Sequence, residues 1–543
     1  MGAVAIRAVR LARADVVTTA LLATVSGALL ILLVPVGGDA PAHLYRTLLV
    51  RDGVHIWDNL WYEGQYPLAS YSLLYYLPAA FVGNVPLVFA SVIASAALFA
   101  SLALREWGRP ARWPARAFGV LASAPLFTGT YAYALGLASL LAVLRALQAG
   151  NVWLAVLAAA LTLGFSPLAF VFLCLVLVAV ALARRPISLR PLGIGLALLL
   201  LTGLEAAALA IFPDQGIYPF NGWDLWAVLT VCAFGAALAR RVPRGNAIVA
   251  FFALWALLSL TAFLAPSPFG DNVTRLRQLV FPLMLLVAFL ARFRPRWLAA
   301  TAVFLAFAYN VVPYIATVPF ETDARAAKLS FWAPAIAFLR QREPIDFRVE
   351  VVPTSEHWEA YWLPRAGFAL ARGWYRQLDF AENPLLYGPV SPPAYRAWLR
   401  AMGVRYVLLP RTDLDPMGAQ DEAKLLRSGH SGLTPVLSTG DGTIYEVPRP
   451  VPILTGPARA GITAFEHERI AGWMGTAGSY LLRVRYTPYW QVRQGAVCLA
   501  PGPAGMTRLE ARHGGPFLLV LPEEPEAIVR DLVGEGGQRC PQG

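Results

Sequence analysis

The sequence predicts a polytopic α-helical membrane bundle of about 11 transmembrane helices, followed by an extracytoplasmic C-terminal domain with an α/β part and a β-sandwich-like part. Three observations carry this expectation. Of the 543 residues, 57% are hydrophobic and only 14% charged, against about 25% charged in soluble domains. Apolar runs of about 20 residues recur through roughly the first 320 positions. After that the pattern changes to mixed polarity, more acids and short alternating apolar runs, as expected of a folded aqueous domain. Together these exclude a water-soluble enzyme, a disordered protein and a disulfide scaffold.

The distribution of charge gives sidedness. The net charge is +12, almost all of it from Arg, since Lys328 and Lys424 are the only lysines. The arginines cluster between apolar runs: Arg7/Arg10/Arg13, Arg105/Arg109/Arg112/Arg116, Arg184/Arg185/Arg190, Arg240/Arg241/Arg244 and Arg292/Arg294/Arg296. That is a positive-inside signature and not a phosphate-backbone stripe, so nucleic acid is excluded as a partner. The first run, 16–36, is too long for a signal-peptide core and reads as a retained helix. A polar loop at 37–83 follows, and then a span at 84–104. Hairpins are expected at 117–131 with 134–149, and at 152–165 with 168–183. Spans at 192–212, 223–239, 246–264, 279–291 and 298–317 complete the bundle. Every basic cluster then falls on the cytoplasmic side, the N-terminus is cytoplasmic, and residues 320–543 lie outside. The expected domains are 1–319, a bundle carrying the first outer loop 37–83, and 320–543, divided into an α/β part (320–443) and a β-rich part (444–543).

The outer loops hold the candidate chemistry. Gly37-Gly38 ends the first span, and Asp39 is placed to cap a helix with Pro41 in its first turn. On that helix Asp39, His43 and Arg46 would share about one face. Capping and catalysis are compatible roles for Asp39. Further along stand Trp57, Trp61, Tyr62, Glu63, Gln65, Tyr66, Tyr71, Tyr75 and Tyr76. Aromatic rings at this density form either an interfacial belt or a sugar site, where rings stack on apolar sugar faces while Glu63 and Gln65 bind hydroxyls. Arg46, Arg51, Arg275 and Arg277 sit on outer loops against the topogenic preference. Guanidinium groups at Arg275 and Arg277 suit a phosphate at headgroup depth, or else snorkel to ordinary anionic lipid. Glu205 falls inside a span, where an acid is expected to have a function or a partner. Cys174 and Cys232 read as small apolar residues, whereas Cys498 and Cys540, outside, are a possible disulfide. No P-loop, zinc-ligand spacing, nucleophile elbow or inverted repeat of broken helices is present.

In the C-terminal region, Phe320–Arg342 reads as an amphipathic connector. Strands are expected at Phe347–Val352 and Val404–Leu409, with a helix at Pro393–Met402 between them. Strands dominate from Ile444, notably Tyr480–Tyr486, Ala496–Ala500, Thr507–Ala511 and Phe517–Leu521.

An acid just after the first span, a long first outer loop, many further spans and an outer C-terminal domain resemble the type C (GT-C) superfamily of polytopic membrane glycosyltransferases. Gly38-Asp39 with His43 and Arg46 resembles bacterial membrane proteins of the six-pyruvoyl-tetrahydropterin-synthase-related kind. Gly403–Leu409 and Tyr486–Val492 resemble the outer domains of YfhO-like glycosyltransferases. The resemblance implies a bacterial plasma-membrane enzyme that moves a sugar from a polyprenyl-phosphate donor to an extracytoplasmic glycan, lipid or protein acceptor, with inversion. It implies that Asp39 is the acceptor base or a ligand to a divalent metal, Mg or Mn. Here the first acid stands alone and not in an Asp-Asp or Asp-x-Asp pair, so metal dependence stays open. Two other classes stay open as well: a non-catalytic envelope-glycan binding or assembly protein of the same fold, and a lipid or solute transporter. The transporter would need polar residues through both leaflets, whereas those here cluster on one side.

Overall fold

The computed structural model describes residues 2–34, 37–67, 71–183, 192–213, 216–243, 245–321, 325–342, 345–522, 526 and 539–540. Arg184, Arg185, Arg190 and Arg244 of the basic clusters lie outside the described residues. The chain divides into two compact units. The first comprises Met1–His43, Tyr71–Ala210 and Gln215–Ala324, and the second comprises Leu44–Ser70, Ile211–Asp214 and Arg325–Gly543.

The first unit is a polytopic helical membrane bundle. Among the described residues, eight helices are long and apolar enough to cross a bilayer: Ala12–Leu33, Asn84–Trp107, Tyr131–Gln148, Gly193–Ile211, Gly222–Ala239, Asn246–Leu264, Gly270–Leu290 and Arg296–Ile315. Val152–Phe165 and Pro167–Ala183 are apolar but shorter. The run expected at 117–131 is broken into Arg112–Leu121 and Pro125–Thr128, because Pro125 starts a new turn and Gly129, at φ +72°, ends it. Trp113, Trp153, Trp223 and Trp297 are each the second residue of a helix, and each is exposed. An indole at a helix end suits the boundary between hydrocarbon and water. Helix Leu192–Ile211 exposes Leu196, Leu199, Leu200 and Leu204, a surface that only lipid can solvate. Glu205 lies on this helix with its Oε2 buried and without a hydrogen-bond partner among the described residues, so the partner expected inside the bundle is not found there.

Among the described residues, the second unit holds three four-stranded sheets. In the first, β1 (Arg348–Val351), β2 (Val404–Pro410), β3 (Thr434–Ser438) and β4 (Gly442–Glu446) run in the order β1-β2-β4-β3. The β1–β2 pair is parallel and the others are antiparallel. The crossover between β1 and β2 includes helix Pro392–Ala401. Ser391 caps that helix by accepting from the amide of Ala394, and Gly403, at φ +71°, lets the chain turn into β2. Strand β4 belongs to this sheet, so the β-rich part starts later than residue 444. The reason is pairing: Ile444 lies opposite Leu408.

The other two sheets are antiparallel. One has the order β10-β11-β8-β5, from β5 (Leu454–Thr455), β8 (Gly478–Arg485), β10 (Val497–Pro501) and β11 (Met506–Ala511). The other has the order β6-β7-β12-β9, from β6 (Ala460–Phe465), β7 (Arg469–Met474), β9 (Gln491–Gln494) and β12 (Gly515–Val520). Alternate residues point inward, and Leu482, Val484, Leu509, Ile470, Phe517 and Leu519 of both sheets form one core. Ile56, Trp57 and Tyr66, from the loop after the first span, complete that core. The loop read as part of the bundle thus supplies residues 44–70 to the second unit.

Cys498 and Cys540 form a disulfide across 42 residues, and the Cys540 amide also donates to the Leu499 carbonyl. Closing a loop of this length stabilises a fold by up to about 4 kcal/mol through the unfolded chain. Peptide mapping without reductant is therefore expected to recover the bridged pair. Replacing both cysteines by Ser should lower the melting temperature.

Candidate functional site

The site in the first unit is built on a turn. Gly38 has φ +59° and Gly129 φ +72°, conformations that favour glycine. A Cβ on Gly38 would collide with the Thr128 carbonyl, and one on Gly129 with the Ala40 amide. Across this close approach the Gly37 amide donates to the Phe127 carbonyl and the Asp39 amide to the Thr128 carbonyl, each at 3.1 Å. Asp39 is thereby held at its own backbone, just before helix Ala40–Arg51.

A second segment brings the cation. Residues Gly270–Leu276 form a 3-10 turn. Gly270, at φ +44°, lies so close to the Tyr218 carbonyl that no side chain fits there. The Trp255 indole donates to the Val273 carbonyl at 3.0 Å. These contacts fix the approach of Arg275, whose Nη2 donates to Asp39 Oδ2 at 2.8 Å. The pair joins residues 236 positions apart, with side chains 21% and 14% exposed respectively. Tyr71 stands within the field of both. Burial and the Asp39 charge raise its phenol well above the usual range, with Arg275 opposing, so it stays protonated at neutral pH.

His43 lies beside this pair in the same unit. It is fully buried, its Nδ1 is 3.0 Å from the Tyr76 hydroxyl, and its ring meets Tyr71, Tyr75 and Tyr131 at 5.0–5.6 Å. Arg277 starts the helix Arg277–Leu290 and bonds to the Tyr314 phenol, which also lies in the field of Arg275. Asp39 and Arg275 are brought together; Arg277 is not joined to them.

The remaining predicted residues belong to the second unit and are structural in their contacts. Arg46 is buried, donates to the Pro67 carbonyl at 2.9 Å and lies 5.5 Å from the Tyr375 ring. Asp39 directly precedes helix Ala40–Arg51, which carries His43 and Arg46 three residues apart, but the three side chains have different partners: Arg275, the Tyr76 hydroxyl and the Pro67 carbonyl. Burial lifts the Glu63 carboxyl above its usual range, with Arg348 and Arg485 pulling it back. Gln65 is fully buried, and its amide approaches Asp58 at 3.4 Å. Trp57, Trp61 and Tyr62 have no exposed surface. Trp61 stacks on Tyr45 at 4.6 Å and donates to the Ala360 carbonyl. Truncating one such ring costs about 3–5 kcal/mol, the weight of core residues; their faces are covered by protein and do not offer a sugar platform.

Sequence reasoning missed the clasp that holds this loop. Asp58 is fully buried, accepts from the Tyr45 hydroxyl at 3.1–3.2 Å and meets His467 Nδ1 at 2.8 Å. Glu468 Oε1 accepts from the amides of Ile56 and Trp57. Burial works against a charged His467, but the Asp58 hydrogen bond and charge outweigh it, with Asp52 and Glu468 adding, and its pKa rises. The signal available was weak: an isolated Glu466-His467-Glu468 turn more than 400 residues from its partner. It missed also the fully buried ionic cluster of Arg372 with Glu350 at 2.6 Å and Glu422 at 2.5 Å.

The donor set does not fit a divalent cation at Asp39. A guanidinium already holds its carboxylate, and no group of three His, Cys, Asp or Glu side chains able to bind a metal occurs among the described residues.

No protein-family model matches the chain, and no curated protein does. Among solved structures the chain is similar to the arabinofuranosyltransferase AftD from Mycobacteria, determined by single-particle cryo-EM. The identity is 17% and the TM-score 0.43, and the match covers 86% of this chain and 41% of that one. The chain thus spans well under half the length of that protein.

Two outcomes follow from these contacts. Gly129→Ala must strain the turn or displace Ala40, and is expected to cost on the order of 1–3 kcal/mol, read as a lower melting temperature. Because the His467 pKa is raised on folding, its contribution is complete below its unfolded value of about 6.5 and is lost as pH rises through the folded value. The parent should therefore lose stability over that upward interval relative to His467→Gln, measured by melting curves of both proteins against pH.

Proposed function

We propose that this chain is a membrane glycosyltransferase that moves a sugar from a polyprenyl-phosphate donor to an extracytoplasmic glycan, lipid or protein acceptor. The observation that carries the reading is the Asp39–Arg275 pair, a carboxylate and a guanidinium assembled from distant segments and still partly exposed. The sequence resemblance to type C glycosyltransferases, with an acid directly after the first span, supports it.

The chemistry is consistent with inversion. An acceptor hydroxyl attacks the anomeric carbon and passes its proton to the Asp39 carboxylate. The bond from that carbon to the phosphate oxygen breaks, and its electron pair leaves on the phosphate. Arg275 offers hydrogen bonds to the departing anion, with Arg277 a second cation nearby in sequence. His43 and Tyr71 shape the wall beside them. No step requires a metal at Asp39.

The reading includes a topology. On this reading the two shorter helices and the broken Arg112–Thr128 segment also span, giving eleven, with the basic clusters and N-terminus cytoplasmic and residues 320–543 outside. A disulfide between Cys498 and Cys540 supports an oxidising compartment for that region. The bacterial plasma membrane is the location this implies. A second reading, a non-catalytic glycan-binding relative, is favoured by one observation: Asp39 is a single acid whose charge is already balanced by Arg275.

The purified protein, given polyprenyl-phosphate sugars and an envelope extract as acceptor, is expected to release polyprenyl phosphate. Asp39→Asn should lower that release by roughly 100-fold or more, the usual weight of a general base. Equal release by both proteins would remove Asp39 from the mechanism, and sugar-lipid binding without release would favour the non-catalytic reading.

A further inference from the structure

The two groups central to the proposed transfer obstruct one another as they stand. A carboxylate that accepts a hydrogen bond from a guanidinium has its lone pairs engaged and is a poorer base. A guanidinium engaged by a carboxylate has less to offer a phosphate. Building on the glycosyltransferase reading, we infer that the Asp39–Arg275 ion pair is the resting lock of the site, and that a phosphate-bearing ligand opens it by taking Arg275 away from Asp39.

Three features make this pair exchangeable. The contact is a single hydrogen bond from Nη2 to Oδ2, whereas Arg376 grips Asp415 with two, at 2.9 and 3.0 Å. The pair is partly exposed, at 21% and 14%, whereas Arg372, Glu350 and Glu422 are 3% exposed or less. A ligand can therefore reach the first pair and cannot reach the second. Mobility is also divided unequally. Asp39 is short and pinned through its backbone to Thr128, while Arg275 has a long side chain that can swing. A phosphate accepts two parallel bonds from a guanidinium and carries more charge than one carboxylate, so it can outcompete Asp39. Tyr71, a phenol in the field of both groups, remains beside the released carboxylate.

The lock makes Asp39 a competitor of the ligand, which has a consequence opposite to that of an ordinary binding residue. With the full-length protein in nanodiscs, undecaprenyl phosphate is expected to bind Asp39→Asn roughly tenfold more tightly than the parent, the scale of one charged hydrogen bond. Arg275→Gln should bind it more weakly than the parent. Equal or weaker binding to Asp39→Asn overturns the lock. Infrared difference spectra of the parent with and without the ligand give a second readout that needs no Asp39 variant to fold. A shifted carboxylate band on binding supports the lock, and an unchanged one overturns it. Inorganic phosphate is the parallel probe. If it shows the same gain with Asp39→Asn, the site recognises phosphate without the tail; a gain confined to undecaprenyl phosphate assigns the lipid as the opener. If the parent transfers sugar and Asp39→Asn binds no tighter, the lock falls and the glycosyltransferase reading stands. If the parent transfers none and Asp39→Asn still binds tighter, that reading falls and an anion-opened pair remains.

Discussion

A carboxylate placed where an apolar helix ends needs a partner, because the surroundings solvate charge poorly and the helix that follows can use only part of it. In this protein the partner is Arg275, and much of the local architecture in the helical unit serves to bring the two together. Gly38 and Gly129 allow two backbones to touch, which fixes Asp39. Gly270 allows a third backbone to approach Tyr218, which fixes the turn bearing Arg275. Side chains at any of these glycines would push the segments apart.

The loop after the first span obeys a different constraint. Its aromatic residues are too apolar to remain in water, and it has no core of its own. It is buried in the second unit, where Trp57 and Tyr66 join the sandwich core and Trp61 packs on Tyr45. The polar groups carried inside with them must be satisfied. Asp58 meets Tyr45 and His467, Asn59 donates to the Glu466 carbonyl, and the Trp57 indole donates to Asn59. Residues that resembled a sugar platform are therefore the adhesive between a loop and a sandwich, whereas the Asp39–Arg275 pair keeps part of its surface accessible.

Burial also separates the ionic clusters by role. Arg372, Glu350 and Glu422 are enclosed, with Tyr395 donating to Glu422 and Arg372 donating to the Gly418 carbonyl. Breaking such a cluster leaves an uncompensated buried charge, so it acts as a fixed joint between the crossover and the first sheet. The pair at Asp39 has the same chemistry in a partly exposed setting, and exposure is what permits exchange.

Composition and periodicity determined the helical membrane unit and the β-rich region by themselves, since hydrophobic runs and period-2 alternation are local properties of the chain. Strands at Val404–Pro410 and Gly478–Arg485 and the helix at Pro392–Ala401 were legible within a residue or two. Asp39 and Arg275 were each legible as charges in segments expected on the outer side, one after Gly37-Gly38 and one against the positive-inside preference. That they meet was not, because 236 residues separate them and no local pattern encodes the distance. The same holds for Asp58 with His467 and for the aromatic loop, whose composition fits exposed and buried settings equally well. Tertiary structure alone decided which of these polar and aromatic groups face one another, because desolvation and pairing depend on the whole neighbourhood and not on the neighbours in sequence.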